Sequence, residues 1–258
     1  LRRASLPLPA VAALVSRAFN HQIFRHGFVH CDPHPANVLI RPMPGDPPGR
    51  GRPQMVLLDH GLYKEIDDDF RFDYCRLWRA LVTADIKGIK YHCQKMGAGP
   101  MYTLLAAMLT SRPWDEIIDT DPGSLHAQES EADKAMIQGY AQKYAGEIST
   151  MLNSVPRQML LLFKANDCLR HIDRRLGAPV NTFLITGETC IEVINAHEKA
   201  CLAKTAQRGS LSVFSRLAVW MQHARIGLRQ RAVAAFAKHR IGRNQSRHDK
   251  NKEEKFVP

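Results

Sequence analysis

The sequence predicts a mainly α-helical domain with two short strands near its start and a basic helix near its end. Apolar residues repeat at helical spacing over most of the chain after residue 67. Two short apolar runs, at 37–40 and 55–58, each adjoin a polar turn and are typical of strands. Hydrophobic residues make up 45% of the 258 residues, which is enough for a buried core.

The elements follow in a simple order. The first predicted helix covers 6–27, and Gly27 is a typical C-terminal stop for it. The two strands come next and are separated by a Pro- and Gly-rich loop at 41–53. Further helices are predicted at 68–84, 86–96, 100–110, 130–152, 156–176 and 181–200, with a polar loop at 119–130. Pro156 opens its helix, where a missing N–H costs least.

Positive charge is concentrated at the end of the chain. The net charge is +11, and residues 201–258 contain 13 Lys and Arg against 3 Asp and Glu. We therefore divide the chain into a main domain at 1–203 and a basic amphipathic helix with a disordered tail at 204–258. The helix at 211–240 has an apolar stripe and several arginines, which favours an anionic membrane lipid surface as its partner. A helix packed on the main domain remains an alternative, and nucleic acid is disfavoured because no recognition module accompanies it.

The totals also bear on the compartment. Six cysteines are scattered without a C-x-x-C pair, which indicates reduced thiols inside a cell. No apolar run is long enough to predict a transmembrane helix in this sequence. The first residue is Leu1 rather than Met, so we interpret the chain as a fragment of a longer protein.

Two polar turns carry the pattern of phosphoryl-transfer chemistry. Residues 30–37, HCDPHPAN, fit H-x-D-x-x-x-x-N, and Asp59-His60-Gly61 lies where kinases carry D-F-G. This chemistry needs a carboxylate near the attacking group, which predicts Asp32 as the catalytic residue, with His34 in the same loop as a second candidate. Asn37 and Asp59 are predicted to hold Mg²⁺ against the phosphates of ATP, because amide and carboxylate oxygens are its preferred ligands.

Two less specific interpretations compete with this one. The turns could be ordinary loop structure, in which Asp32 and Asn37 only satisfy backbone groups. A zinc site built from His26, His30, His34 and Cys31 would need the histidines on one helical face. Pro33 and Pro35 break any helix there, so zinc is the weaker hypothesis.

The surroundings of the turns indicate which kind of acceptor to expect. Cys31 stands where many protein kinases carry an Arg that reads a phosphorylated activation loop. Only a few residues separate Gly61 from the acidic start of the next helix at Asp67, and no A-P-E motif follows. A small-molecule or lipid acceptor, or plain ATP hydrolysis, is therefore favoured over protein phosphorylation.

Several stretches resemble the UbiB/AarF family of atypical, ABC1-type kinases. These are HCDPHPANVL, LLDHGLY, MGAGPMYTLLAAMLTSRPWD and VPRQMLLLFKANDCLR, which place the resemblance at 8–203, nearest to the mitochondrial AarF domain-containing kinase 1 subgroup. The resemblance implies the C-terminal lobe of a protein-kinase-like fold. It comprises a catalytic loop at 30–37, a metal-binding turn at 59–61 and a helical bundle.

The resemblance also implies ATP and Mg²⁺ as cofactors, association with the mitochondrial inner membrane, and a role in lipid or coenzyme Q homeostasis and cristae organisation. A lipid or coenzyme Q-related ligand would fit that role. Ala36 stands where relatives often have Gly, which should be tolerated unless the position needs a positive φ. The small-lobe lysine and the K-x-G-Q motif of the family do not occur before Leu8, so we expect this fragment alone to be inactive.

Two other functions stay open at this point. A catalytically inactive, pseudokinase-like adaptor at the mitochondrial membrane could carry the same residues. A small-molecule phosphotransferase also uses an H-x-D and N pattern, although Pro33-His34-Pro35 argues against it. Five polar residues of the 156–176 helix, Arg157, Lys164, Asn166, Asp167 and Arg170, are expected on its solvated or packing faces.

Overall fold

The computed structural model describes residues 6–47, 51–118 and 145–207. The helices, named here in chain order, are α1 (Leu8–Asn20), α2 (Asp68–Val82), α3 (Ile86–Lys95), α4 (Tyr102–Thr110), α5 (Trp114–Ile118), α6 (Ala145–Ser154), α7 (Arg157–Arg175) and α8 (Thr182–Gln207). A π-helical turn, His21–His26, continues α1, and a 3-10 turn, Gly99–Met101, precedes α4. The strands are β1 (Phe28–His30), β2 (Val38–Pro42), β3 (Pro53–Leu57) and β4 (Tyr63–Glu65).

The mainly α-helical class with strands beside the two turns is confirmed, as the kinase-like C-terminal lobe requires. The two predicted strands are β2 and β3, while β1 and β4 were not predicted. Each of these has three residues, too few for the period of two to be read from sequence. The predicted loop at 119–130, most of the helix at 130–152 and the membrane helix at 211–240 lie outside the described residues.

The four strands form two separate antiparallel pairs. Strand β1 pairs with β4, and His30 lies opposite Tyr63. Strand β2 pairs with β3, and Val38 lies opposite Leu57. In each pair one strand adjoins the 30–37 loop and the other adjoins the 59–61 turn, so the two pairs together bring these segments to one place.

Helix α1 anchors the first of these segments in the core. Val11, Ala12, Val15 and Phe19 are buried at helical spacing, and Pro9 in the first turn suits the helix start. Gly27 ends the π-helical turn with φ +67°, a conformation that glycine adopts without strain. The chain therefore turns sharply and enters β1 directly from the core.

Arg71 on α2 fastens this junction. Its Nη1 donates to the backbone carbonyls of Phe24, at 2.7 Å, and Arg25, at 3.2 Å. Its Nη2 donates to the Asp68 carboxylate at 2.6 Å. The guanidinium thus satisfies carbonyls at the end of the π-helical turn that no helix continues. Because Arg71 is buried, with 9% of its surface exposed, its bond to the Phe24 carbonyl is shielded from water, whereas the Asp68 carboxylate is exposed.

Helix α2 is the central element of the core. The Asp67 side chain caps its start by accepting the N–H groups of Asp69 and Phe70. Its buried face carries Tyr74, Cys75, Leu77, Trp78 and Leu81. It packs against α3 and crosses α8. The crossing needs a residue without a side chain, because a Cβ on Gly187 would lie 2.5 Å from the Val82 Cγ2.

A cavity of about 100 Å³ lies between α1, α7 and α8. Its lining combines apolar residues with Asn20, Thr186 and Asp173. Asn20 and Thr186 hydrogen-bond each other at 3.1 Å. The Asp173 Oδ1 atom is buried and has no hydrogen-bond partner among the described residues. Burial raises the pKa of this carboxyl to about 6, which favours its protonated form.

Within the described ranges, none of the helices combines the length and the apolar character that crossing a bilayer requires.

A first prediction concerns the α2–α8 crossing. We expect Gly187→Ala to lower the free energy of unfolding by about 1–3 kcal/mol, because the added methyl must displace Val82. The matched control is Gly146→Ala on α6, where nothing lies within 4 Å of the added atom. That change should be neutral or stabilising by up to about 1 kcal/mol. Urea unfolding of both variants measures the difference, and equal effects would contradict the tight crossing.

A second prediction concerns Asp173. Its pKa in the folded protein is about 6, above the ordinary 3.8, so folding takes up a proton and stability falls as pH rises between these values. We expect Asp173→Asn to unfold at a higher temperature than the wild type at pH 8, with the gap closing as the pH approaches 4. Asp167→Asn, an exposed carboxylate on the same helix, is the control. A pH-independent gap in thermal unfolding would disprove the assignment.

Candidate functional site

The 30–37 loop and the 59–61 turn meet where β2 begins and β3 ends. Val38, the first residue of β2, lies opposite Leu57, the last residue of β3. The Leu58 N–H then donates to the Asn37 carbonyl at 3.0 Å. Asn37 directly precedes β2, and Asp59 follows β3 after one intervening residue, Leu58. Both residues therefore lie at the same end of this strand pair. The two predicted metal ligands thus lie at one rim of this strand pair.

His30 links the two segments through both ring nitrogens. Its Nδ1 accepts the Asp32 N–H at 3.1 Å, so this nitrogen carries no proton. Its Nε2 lies 2.6 Å from the Asp59 carbonyl oxygen and donates to it. The ring is 1% exposed, and the His30 N–H donates to the Gln22 Oε1 at 2.9 Å. The buried imidazole thus fixes the position of the Asp32 backbone relative to the Asp59 backbone.

The 30–37 loop is further ordered by its own hydrogen bonds. The His34 N–H donates to the Asp32 carbonyl at 2.7 Å, and the Asn37 Nδ2 donates to the same carbonyl at 3.2 Å. This hydrogen bond uses the amide nitrogen of Asn37 and not its amide oxygen. The His34 ring is exposed and accepts the Ala36 N–H at 3.3 Å. The predicted catalytic role of His34 stays a prediction.

The 59–61 turn presents an exposed carboxylate. The Asp59 Oδ1 accepts the Gly61 N–H at 2.8 Å, which closes a tight turn. The His60 Nδ1 and the Tyr63 hydroxyl are 2.8 Å apart, and their rings stack. Tyr63 also stacks on Phe28 across the β1–β4 pair, with ring centroids 4.8 Å apart. The turn is therefore held on both sides, while the second carboxylate oxygen of Asp59 remains for a ligand.

Helix α7 contributes a group that the sequence interpretation had assigned to solvated or packing faces. The Lys164 Nζ lies 3.1 Å from the Asp32 Oδ1. The helix is held against the core by buried Met159, Leu162 and Ala165. Helical spacing could not reveal this contact, since Lys164 lies far from Asp32 in sequence.

Two thiols border the same carboxylate. Burial raises the pKa of Cys31, and the positive charge of Lys164 partly opposes this effect. Burial also raises the pKa of Cys168, and the negative charges of Asp32 and Asp167 raise it further. Both thiols are therefore poor nucleophiles at neutral pH. The arrangement favours chemistry on a bound substrate over covalent catalysis by cysteine.

The oxygen atoms at this rim suit Mg²⁺. A magnesium ion in a nucleotide site commonly takes one or two protein oxygens and fills its shell with phosphates and water. Asn37 and Asp59 offer an amide and a carboxylate oxygen of this kind. Over 6–47, 51–118 and 145–207, no group of three or more His, Cys, Asp or Glu could hold a metal ion. A site with two protein ligands fits the residues better than a closed zinc site does.

The described fold and its two linked turns define a kinase-like C-terminal lobe. Residues 1–93 match the profile of the ABC1 atypical kinase-like domain. The chain is 42% identical over 228 residues to a protein of Arabidopsis thaliana named as an ABC1 protein, covering 86% of this chain and 41% of that protein. The chain therefore belongs to the ABC1 family of atypical kinase-like proteins.

Animal relatives carry the AarF name. The chain is 37% identical over 222 residues to the mouse AarF domain-containing protein kinase 1, covering 85% of this chain and 41% of the mouse protein. It is 35% identical over 203 residues to the AarF domain-containing kinase 1 of Drosophila melanogaster, covering 78% of this chain and 38% of that protein. The chain thus spans about two fifths of the length of these curated relatives. No solved structure matches it.

Proposed function

We propose that the chain supplies the acceptor-binding and metal-binding part of a Mg²⁺-dependent, ATP-using atypical kinase or ATPase. The observation that carries this proposal is the buried His30 ring, which donates to the Asp59 carbonyl and accepts from the Asp32 N–H. If the two turns had separate roles, nothing would require a buried histidine to link the Asp32 backbone to the Asp59 backbone. Membership of the ABC1 family supports ATP as the nucleotide.

The roles follow from the chemistry of phosphoryl transfer. Asp32 orients the acceptor hydroxyl or water and takes its proton, while Asn37 and Asp59 hold Mg²⁺, which neutralises the phosphates. The bond between the terminal phosphorus and its bridging oxygen breaks, the bond from phosphorus to the acceptor oxygen forms, and ADP leaves. His34, exposed two residues after Asp32, is a second candidate to contact the acceptor.

The geometry after the 59–61 turn supports a small acceptor. The Cys31 N–H donates to the Leu62 carbonyl at 3.0 Å, and β4 pairs with β1 from Tyr63 onward. The chain therefore returns to the sheet at once, and α2 begins soon afterwards at Asp68. This leaves no room in that segment for a peptide-docking platform. We propose a lipid, a coenzyme Q-related molecule or water as the acceptor.

We further propose a place for this activity at the mitochondrial inner membrane, in lipid or coenzyme Q homeostasis and the organisation of cristae. The resemblance of 8–203 to the mitochondrial AarF group supports it, together with relatives that carry the AarF name. The basic segment at 211–240 would attach the protein to an anionic lipid surface. Its support is the charge distribution, since 13 of the 36 Lys and Arg fall in 201–258.

The metal assignment predicts the effect of Asp59→Asn in the full-length protein. Asparagine can still accept the Gly61 N–H, so the turn should persist while the ligand charge is lost. We expect Mg²⁺-dependent ATP turnover to fall about 100-fold or more, because each ~1.4 kcal/mol of lost charge stabilisation is tenfold in rate. Asp69→Asn, an exposed acid in the first turn of α2, should leave turnover unchanged. Wild-type turnover in Asp59→Asn would refute the proposal.

The membrane assignment predicts a charge-dependent loss of vesicle binding. Removing 209–258 should reduce co-sedimentation with phosphatidylserine vesicles, because several arginines near a lipid surface contribute about 1 kcal/mol each. A full-length variant with Arg216, Arg225, Arg229 and Arg231 changed to Gln should show most of the same loss. The loss should shrink at high salt, where exposed charges are screened. Binding that neither change alters would rule out this attachment.

A further inference from the structure

Lys164 and Asp32 form an ion pair that remains open to solvent. The Nζ and Oδ1 atoms are 3.1 Å apart, and the two side chains are 53% and 37% exposed. Exposed ion pairs of this kind contribute little to stability, because solvent screens them. The pair therefore adds little to the attachment of α7, which already packs on the core through its buried apolar face. Its position at the carboxylate predicted to face the acceptor needs another explanation.

The two turns carry no positive side chain of their own. Residues 30–40 and 57–62 contain no Lys or Arg, and they contribute the carboxylates of Asp32 and Asp59. A nucleotide entering between them brings further negative charge. A metal held by Asn37 and Asp59 would offset this charge on one side. On the Asp32 side, compensating positive charge has to come from outside the two turns.

Two lysines come close to this loop, and they differ in their contacts. Burial raises the pKa of Cys31, and the positive charges of Lys164 and Lys64 both partly oppose this effect. Lys64 lies on β4 opposite Val29. Among the ion pairs of the described residues, Lys164 has one with Asp32 and Lys64 has none. Lys164 is thus the lysine in place at the acceptor side, and Lys64 is a matched comparison.

We propose that Lys164 binds the terminal phosphate of the nucleotide beside Asp32, an inference that rests on the proposed function. An ammonium group has three donors, and the Asp32 carboxylate takes one of them. The acceptor oxygen that Asp32 orients must approach the terminal phosphorus, so a phosphate oxygen comes within reach of the same ammonium. Lys164 would then stabilise the negative charge of the transferring phosphoryl group on the Asp32 side. A metal ion held by Asn37 and Asp59 would stabilise the same charge on the Asp59 side.

The experiment compares two nucleotides in the full-length protein. Dissociation constants for Mg–ATP and Mg–ADP are measured for the wild type and for Lys164→Met. Loss of a charged contact to the terminal phosphate should weaken Mg–ATP binding about 10-fold or more. Mg–ADP binding should stay within about twofold of the wild type. Lys164→Arg, which keeps the charge, should recover part of the affinity for Mg–ATP.

Two further variants exclude indirect explanations. Lys64→Met removes the same charge near the same loop and should leave both affinities unchanged. Asp32→Asn tests whether Lys164 acts only by neutralising Asp32. If Lys164 contacts the phosphate, Lys164→Met should weaken Mg–ATP binding in the Asp32→Asn background as well. Disappearance of the effect in that background would overturn the direct contact.

The remaining outcomes separate this inference from the proposed function. If the wild type binds Mg–ATP and Lys164→Met binds each nucleotide with the affinity of the wild type, Lys164 has no role in nucleotide binding and the proposed function stands. If the variant loses Mg–ATP and Mg–ADP affinity alike, the contact is not to the terminal phosphate and the inference fails. If the wild type binds neither nucleotide, the proposed function fails and takes this inference with it.

Discussion

The imidazole of His30 is the contact on which the arrangement of the site depends. It is buried, and it joins the Asp32 backbone on one side to the Asp59 backbone on the other. The ring itself is buried, so removing it would break both bonds between the two segments and leave a space in the core. Gln22 on the π-helical turn orients the strand that carries His30. The position of two candidate functional aspartates is thereby set by the core rather than by the loops.

The core reaches this ring through a short series of packed elements. Phe19 on α1 meets the His30 ring edge-on, with centroids 6.4 Å apart. Arg71 on α2 holds the carbonyls at the end of the π-helical turn. Helix α7 joins the same framework, because the Asn166 Nδ2 donates to the Tyr74 hydroxyl of α2 at 3.1 Å. The helix that carries Lys164 is therefore hydrogen-bonded to the helix that positions the 30–37 loop.

Sequence patterns predicted correctly the helices and strands whose formation depends on local residue spacing. The strands at 38–42 and 53–57 overlap the apolar runs predicted at 37–40 and 55–58, and α2, α3 and α7 follow from helical spacing, with the acidic start at Asp67 and Pro156 marking two helix starts. They served less well at β1 and β4, which are defined only by pairing with each other. Asn37 precedes β2 and Asp59 follows β3, so the antiparallel pairing of these strands places both residues at one end of the pair, while their metal-binding role stays a prediction.

The sequence by itself determined the helical class, the residues of the two turns and the family resemblance. All of these depend on residue identity and spacing over short stretches, which local propensity and steric rules translate directly into structure. Only the tertiary structure decided that Lys164 contacts Asp32, that the Asp173 Oδ1 atom is buried with no hydrogen-bond partner among the described residues, and that α8 packs closely on α2 at Gly187. These contacts join residues distant in the chain, and their geometry is set by how whole helices pack.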